Sequence, residues 1–362
     1  MHNQRATRRA LLKVHKLTGS ATRRHIRLPL GPQAEYAVPD LCQPLLYACE
    51  NHTAVTWSGT RLRDHGLDLP DGDTVLRQFG RTDWRELAKG FTRLHREPLL
   101  KAWRSGLLGG PVDIAIDFTD EPWYGKDLPF IVRSEADRGT TRFIRWASVS
   151  ILADPVRFVA ATAPVFPGTS KTEVIEFLLG ELPPWLKFRR AYLDRGFFSV
   201  DVLTMLEENG IGYVVAARKT SRVKRAIRSL LRWGKTSTKY TVRSLSDSVG
   251  TTLFINVNEK GEVATFVTNL PVKDAERLAR AYRKRWGIET AFRVKNGFRA
   301  KTCARTYPVR FALYMMAMAL YNFWVFVNAL MALALGFVPV KPRITVDDLR
   351  FGLLDLQFPG IR

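Results

Sequence analysis

The pattern of hydrophobic and polar positions changes at Gly109-Gly110-Pro111. Before this point, residues 30–108 show short helical repeats of apolar residues, broken by Pro and Gly, and predict a helical domain. After it, short apolar or alternating runs bounded by turn residues predict strands. These runs are residues 112–118, 143–152, 156–165, 188–193 and 212–217. Helical periods at 170–179 and 199–209 separate the later strands, and the order β-β-β-α-β-α-β predicts a mixed sheet with helices on its faces.

Three further strand-like runs follow, at residues 239–245, 251–258 and 263–269. With the basic stretch before them, they predict a β-rich insertion over about 218–272. A long helix is predicted at 273–296. An uncharged run at 311–340 follows that helix. Its length could cross a bilayer, but Asn322 and Asn328 lie inside it and basic residues flank both ends, so a helix buried in a large core is favoured over a membrane span.

Charge changes the picture of what the molecule binds. The chain has 362 residues, with 56 Lys and Arg against 34 Asp and Glu, a net charge of +22. The excess lies in residues 1–28, 218–243 and 277–310, which carry +8, +10 and +10. Blocks of this kind indicate a polyanionic partner, and nucleic acid is favoured over a membrane surface. Residues 1–29 are interpreted as a flexible basic arm that touches phosphates. Within the second block, Lys219, Arg222, Lys224, Arg225 and Arg228 are expected to line a DNA path.

Cysteine and histidine spacing argues against several classes of protein. Cys42, Cys49 and Cys303 form no CxxC pair, so structural zinc and a secreted disulfide scaffold are both disfavoured. All six histidines lie in the first third of the chain, and none has metal-ligand spacing. A reducing, cytoplasmic setting in a prokaryotic cell, close to the nucleoid, is expected.

Carboxylates are the side chains that indicate chemistry. Asp117 and Asp194 each stand at the carboxyl end of a predicted strand, and neighbouring strands bring such ends together. Two acids at one point repel each other unless a cation lies between them, and hard oxygen ligands favour Mg²⁺ or Mn²⁺. Glu289 is the only acid within 277–310 and shares a predicted helix face with Tyr282 and Arg285.

Three local motifs resemble those of DDE-type insertion-sequence transposases with an RNase H-like catalytic core. The first is Ile114-Ala115-Ile116-Asp117, and the second is Leu193-Asp194-Arg195-Gly196-Phe197. The third, Tyr282-x2-Arg285-Trp286-x-Ile288-Glu289, resembles the Tyr-Arg-Glu-Lys signature. The closing lysine of that signature would fall at Asn296, so either the helix ends or bends near Gly297, or Lys295 or Lys301 replaces that lysine.

The resemblance implies an α/β, RNase H-like mixed sheet over 109–340 with a β-rich insertion, a helical DNA-end-binding domain over 30–108 and a tail over 341–362. It also implies that Asp117, Asp194 and Glu289 are both catalytic residues and ligands of two Mg²⁺ or Mn²⁺ ions. Tyr282, Arg285 and Lys295 would contact DNA. The implied partners are terminal inverted repeats and target DNA, with a homodimer on DNA and no membrane.

Two alternatives to a transposase follow from the same residues. A metal-dependent, structure-selective DNA nuclease would use the same core without joining strands. A non-catalytic DNA-binding protein would use the acids only in its structure. Cleavage and strand-transfer assays separate the three.

Overall fold

The computed structural model describes residues 2–153, 157–336 and 342–350, with side chains from residue 7 onward. The chain forms two compact units. The first contains residues 1–109, 154–158 and 290–362, and the second contains 110–153 and 159–289. The predicted tail falls largely on residues 341 and 351–362, which lie outside the described residues.

The first unit is helical. Its helices are α1 (His2–His25), α2 (Val38–Glu50), α3 (Val55–Asp64), α4 (Gly72–Arg81), α5 (Trp84–Arg104) and the long α11 (Tyr307–Ala334). The helical domain predicted before residue 109 is therefore present as helices.

The first residues of the chain form a helix, and the prediction of a flexible arm is wrong. Ala10, Leu11 and Val14 are buried at helical spacing, and Thr18 and Ala21 continue the same buried face. This face packs against α2, α5 and α11. The basic residues of α1 lie on the other side, so the apolar stripe between them was enough to order the segment.

Helix α11 is the apolar run seen in the sequence, and the expectation of a buried helix is confirmed. It is long and apolar enough to span a bilayer, yet 83% of its most apolar window is buried. Helices α1, α2, α4 and α5 surround it. The sequence predicted that residues 290–336 would belong with 109–289, but in the structure they belong with the N-terminal helices. The reason is that an all-apolar helix needs cover on every side.

The second unit contains one mixed sheet, as predicted. Its strands are β1 (Val112–Pro122), β2 (Val132–Asp137), β3 (Thr140–Ile151), β4 (Val159–Val165), β5 (Phe188–Leu193), β6 (Tyr213–Ala216), β7 (Ser237–Arg243), β8 (Ser248–Val257) and β9 (Val263–Thr268). The order is β2-β3-β1-β5-β6-β9-β8-β7, with β4 also paired to β3. Strands β1, β5 and β6 are parallel, and the other pairs are antiparallel. Strand β2, a hairpin partner of β3, was not predicted.

Helices cover this sheet and carry the segments between strands. They are α6 (Lys171–Gly180), α7 (Val200–Glu208), α8 (Ser221–Arg232), α9 (Ala275–Arg283) and α10 (Trp286–Gly297). Helix α6 contacts β3 and β4, while α7 and α9 contact β8. The division between the two units falls inside α10, after Glu289.

The helix predicted as one piece over 273–296 is broken between α9 and α10. Hydrogen bonds of the three-residue type, from Arg285 N to Tyr282 O and from Ile288 N to Arg285 O, replace regular helical bonds there. Gly287, which weakens helix formation, lies at this point. The sequence pattern continued across the junction and so gave no sign of the break.

Candidate active site

Asp117 and Asp194 are brought together by two parallel neighbouring strands. Ile116 on β1 is in register with Leu193 on β5, so the next residue of each strand is one of the two acids. Both acids are partly buried. Asp194 follows the end of β5, as predicted, whereas Asp117 lies within β1, where the pairing with β5 ends and the pairing with β3 continues to Pro122.

The turn after Asp194 fixes its carboxylate. Oδ1 accepts a hydrogen bond of 2.7 Å from Gly196 N, at the start of a short 3-10 turn. A Cβ at residue 196 would lie 2.8 Å from that oxygen, which is closer than side chains allow. Glycine at this position therefore lets the turn fold tightly around the acid.

An aromatic stack joins the residues that follow the two acids. The rings of Phe118 and Phe197 lie 4.8 Å apart with an interplanar angle of 16°. Phe197 is fully buried. Because each ring is one to three residues from its acid, the stack holds the end of β1 against the turn after β5.

The junction between α9 and α10 delivers the third acid together with a cation. Arg285 donates from Nη1 to Asp117 Oδ2 at 2.6 Å and from Nη2 to Glu289 Oε1 at 3.2 Å. The side chain of Arg285 is 10% exposed, that of Asp117 14% and that of Glu289 40%. One guanidinium thus joins two acids that are 172 residues apart in the chain.

The environment of Asp117 favours its protonated form. The pKa of Asp117 is raised from 3.8 to about 7, and burial is the main cause. The negative charges of Asp194 and Glu289 act in the same direction as burial, while Arg285 and the N–H of Phe118 act in the opposite direction. Three carboxylates therefore lie within electrostatic reach of one another at this edge of the sheet.

The raised pKa of Asp117 predicts a particular pH dependence of stability. Between pH 4 and 7 the folded chain holds a proton on Asp117 that the unfolded chain releases, so the stability contributed by this proton is lost as pH rises through that window. In EDTA, the Tm of the wild type should fall more steeply from pH 5 to pH 8 than that of Asp117→Asn. Differential scanning fluorimetry measures both profiles, and parallel profiles would show that Asp117 titrates normally.

Tyr282 has a different role from the DNA contact implied by the sequence. Its buried hydroxyl donates to Leu193 O at 3.1 Å, and burial raises its pKa to about 12. The guanidinium of Arg285 lies 5.7 Å from the centre of its ring. Tyr282 therefore links α9 to Leu193, the residue before Asp194, and supports the site on its buried side.

Lys295 does not take the DNA-contacting place suggested for it. Its side chain is 1% exposed, and Nζ lies 4.1 Å from the centre of the Tyr314 ring. Burial over an aromatic face satisfies the ammonium inside the helical unit. Asn296, at the position of the signature lysine, is exposed.

The basic residues at the start of the insertion lie along the exposed side of α8, a helix that was not predicted from the sequence. Val223, Ile227 and Leu230 are buried along α8, and Thr220 caps its start by accepting from Val223 N. The i, i+4, i+7 spacing was the available signal. The basic residues predicted to line a DNA path are all exposed, and they are Lys219, Arg222, Lys224, Arg225 and Arg228. Part of this face borders an open groove of about 470 Å³ between α8 and β7.

Two more cations at the carboxyl edge of the sheet were not identified from the sequence. Lys171 is the first residue of α6, and its ammonium donates to Gly196 O. Arg218 follows β6, and its Nε donates to Arg195 O at 3.3 Å. Lone basic residues at the start of a helix or after a strand carry no sequence signal of a site.

The donor set fits a hard divalent cation in its chemistry. Asp117, Asp194 and Glu289 offer only carboxylate oxygens, which Mg²⁺ and Mn²⁺ prefer. Among the described residues, however, no group of three or more His, Cys, Asp or Glu is close enough to enclose an ion. The guanidinium of Arg285 supplies the positive charge between Asp117 and Glu289, so these acids are neutralised by a side chain.

Comparisons with known proteins agree with this architecture. The family model described as "Transposase DDE domain" matches residues 109–323, more than half of the chain. A cryo-EM structure of the piggyBac transposase synaptic complex with hairpin DNA is similar in fold, with a TM-score of 0.56 and 12% sequence identity. The similarity covers 98% of this chain and 80% of that one. No curated protein sequence matches the chain.

Proposed function

Because the chain belongs to the transposase DDE domain family, we propose that it cleaves DNA and transfers strands at the ends of an insertion sequence. Asp117, Asp194 and Glu289 are the proposed catalytic residues. The observation that supports this most strongly is the bridge from Arg285 to both Asp117 and Glu289, beside the strand end that carries Asp194. An ion pair formed only within the solvent-exposed face of one helix would not link α10 to Asp117 on β1.

The residues around the three acids have separable roles. Arg285 orients the carboxylates of Asp117 and Glu289 through directed hydrogen bonds. The N–H of Gly196 and the hydroxyl of Tyr282 hold the turn around Asp194 and the strand end before it. Without a bound cation, burial raises the pKa of Asp117 to about 7, and a divalent cation at the site would favour its carboxylate form.

Asp117, Asp194 and Glu289 would hold the two Mg²⁺ or Mn²⁺ ions. When bound, such ions activate the attacking oxygen of water or a DNA 3′-hydroxyl and stabilise the leaving oxygen. Arg285 would then exchange a carboxylate for a phosphate oxygen, which its planar fork also fits.

The exposed face of α8 is proposed as part of the path of the DNA backbone. Arg222, Lys224, Arg225 and Arg228 are all exposed along one helix, and none forms an ion pair with a carboxylate within the described residues. Free cations spaced along a surface suit successive phosphates.

Neutralising this face should weaken DNA binding in proportion to the number of phosphates that it neutralises. Changing Arg222, Lys224, Arg225 and Arg228 together to Gln should lower the slope of log K against log salt by about 0.9 for each phosphate left without its cation. Fluorescence anisotropy at several KCl concentrations measures the slope. A variant that exchanges Arg for Lys and Lys for Arg at the same positions keeps the charge and serves as the control. Equal slopes for both variants and the wild type would exclude α8 from the DNA path.

We also propose that the protein acts as a homodimer on DNA, because strand transfer requires two element ends in one complex. Light scattering after size-exclusion chromatography, with and without end DNA, measures the number of chains per complex. One chain bound to one end at every concentration tested would contradict the dimer.

One assay separates the proposed function from its alternatives. The purified chain is incubated with Mg²⁺, a target plasmid and a labelled duplex carrying the inverted repeat that flanks its reading frame. Strand-transfer products support a transposase. Cleavage without joining indicates a structure-selective nuclease, and binding without cleavage indicates a non-catalytic DNA-binding protein.

A further inference from the structure

Two cationic side chains donate hydrogen bonds to the turn that follows Asp194. Lys171 donates from its ammonium to Gly196 O, and Arg218 donates from Nε to Arg195 O. The two acceptors are consecutive main-chain carbonyls of one turn. Two positive side chains from α6 and from the end of β6 therefore converge directly beside a proposed catalytic acid.

Neither of these two cations forms an ion pair with a carboxylate among the described residues. Over the described part of the chain, Lys171 and Arg218 bond only to main-chain oxygens. The neighbouring Arg145 differs, because Asp120 accepts two hydrogen bonds from it, at 2.8 and 2.6 Å. Lys171 keeps further N–H donors, and Arg218 keeps both Nη groups, for another ligand.

The positive charges of Lys171 and Arg218 repel each other. Partial burial lowers the pKa of Lys171, and Arg218 and Arg145 lower it further, while Asp194 acts against them. Like charges held close together cost free energy unless an anion lies between them. Both side chains are exposed, where bonds to a carbonyl add little stability to the fold, so a structural role does not account for the pair.

The place of the pair fits a ligand of the active site. Arg218 follows β6, which is parallel to β5, and Asp194 follows β5. The capping box of Ser170 and Glu173 fixes the start of α6 and thus the origin of the Lys171 side chain. A phosphate held here would lie beside the turn that follows Asp194 and would be bonded by the two cations.

We propose that Lys171 and Arg218 form a binding site for a phosphodiester group of the DNA strand, next to the group that is cleaved. The inference rests on the proposed function, because it assigns a place to the same DNA. These two contacts would position the DNA strand without reading its base sequence.

The test uses the duplex with the terminal inverted repeat, in Ca²⁺, with binding followed by fluorescence anisotropy. Lys171→Gln and Arg218→Gln should each weaken binding about 3- to 10-fold at 100 mM KCl and lower the salt slope by about 0.9. Lys171→Arg should restore most of the affinity. Lys187→Gln is the matched control, since this exposed lysine lies at the opposite, amino end of β5 and should behave as wild type.

A second readout separates phosphate binding from a structural role. Single methylphosphonates, which remove one negative charge, are placed along the strand near the cleaved bond. At one position the substitution should weaken binding of the wild type but leave Lys171→Gln unaffected. Loss that is additive at every position, or a Tm drop that accounts for the lost affinity, overturns the phosphate site.

The failure of this inference can be told apart from failure of the proposed function. If the wild type cleaves the duplex in Mg²⁺ while both Gln variants match it in affinity and salt slope, only the phosphate site is wrong. If the wild type neither binds nor cleaves the duplex, the proposed function fails, and the phosphate site fails with it.

Discussion

Asp194→Asn is expected to abolish DNA cleavage, lowering its rate at least about 10³-fold, which corresponds to about 4 kcal/mol of lost transition-state stabilisation. The substitution keeps the shape of the side chain and an oxygen that can accept from Gly196 N, so the turn should survive. It removes the negative charge that a divalent ion at this edge requires. The measurement is the initial cleavage rate of the labelled terminal duplex in Mg²⁺, with DNA binding measured in parallel and expected to remain.

Asp201→Asn provides the matched control for this prediction. Asp201 is exposed in the first turn of α7, seven residues from Asp194, and undergoes the same chemical change. Its rate should equal that of the wild type. If Asp194→Asn cleaved as fast as Asp201→Asn, Asp194 would not be a catalytic residue.

Arg285→Gln is expected to lower the stability of the metal-free protein by about 3–5 kcal/mol at pH 8. The reason is that removal of the guanidinium leaves the carboxylate of Asp117 buried without its cation. This corresponds to a Tm decrease of roughly 6–20 °C. The loss should be smaller at pH 6, where a proton neutralises Asp117 instead. Millimolar Ca²⁺ should recover part of the loss, because it replaces the missing charge. Thermal denaturation in EDTA and in Ca²⁺ provides the measurement.

Arg280→Gln is the control for Arg285→Gln. Arg280 pairs with Glu276 on the surface of α9, where both side chains are 67% exposed. Exposed pairs of this kind contribute about 0–1 kcal/mol, so its Tm should barely change. Equal Tm values for the two variants would mean that Arg285 does not neutralise a buried acid.

The positions of the acids could be predicted from the sequence because they follow from strand topology. Asp117 and Asp194 come at the ends of apolar runs, and the parallel register of β1 and β5 brings them side by side, although β1 continues past Asp117 to Pro122. Glu289 was identified as a single acid within a basic stretch. The family match over residues 109–323 agrees with the resemblance drawn from the same motifs.

The remaining features depend on tertiary packing, which local patterns do not encode. At the break between α9 and α10, Arg285 pairs with Asp117, which is 168 residues away in the chain, and the local helical pattern could not show this contact. Lys295 is buried because α11 offers it an aromatic face. The order of α1 likewise depends on the helices that cover its apolar stripe.

Helix α8 is a different case, since its apolar spacing was readable. The segment 218–243 contains ten basic residues, and the buried residues Val223, Ile227 and Leu230 are spaced among them as in a helix. Charge described what the segment binds, and periodicity would have described how it folds.

The central claim is that Asp117, Asp194 and Glu289 together form a divalent-metal centre for cutting DNA. Anomalous diffraction from crystals grown with Mn²⁺ and the terminal duplex tests it most directly. We expect manganese peaks bonded to oxygens of all three carboxylates, with Arg285 turned from them to a phosphate. Manganese bound elsewhere, with Arg285 still paired to Asp117 and Glu289, would contradict it.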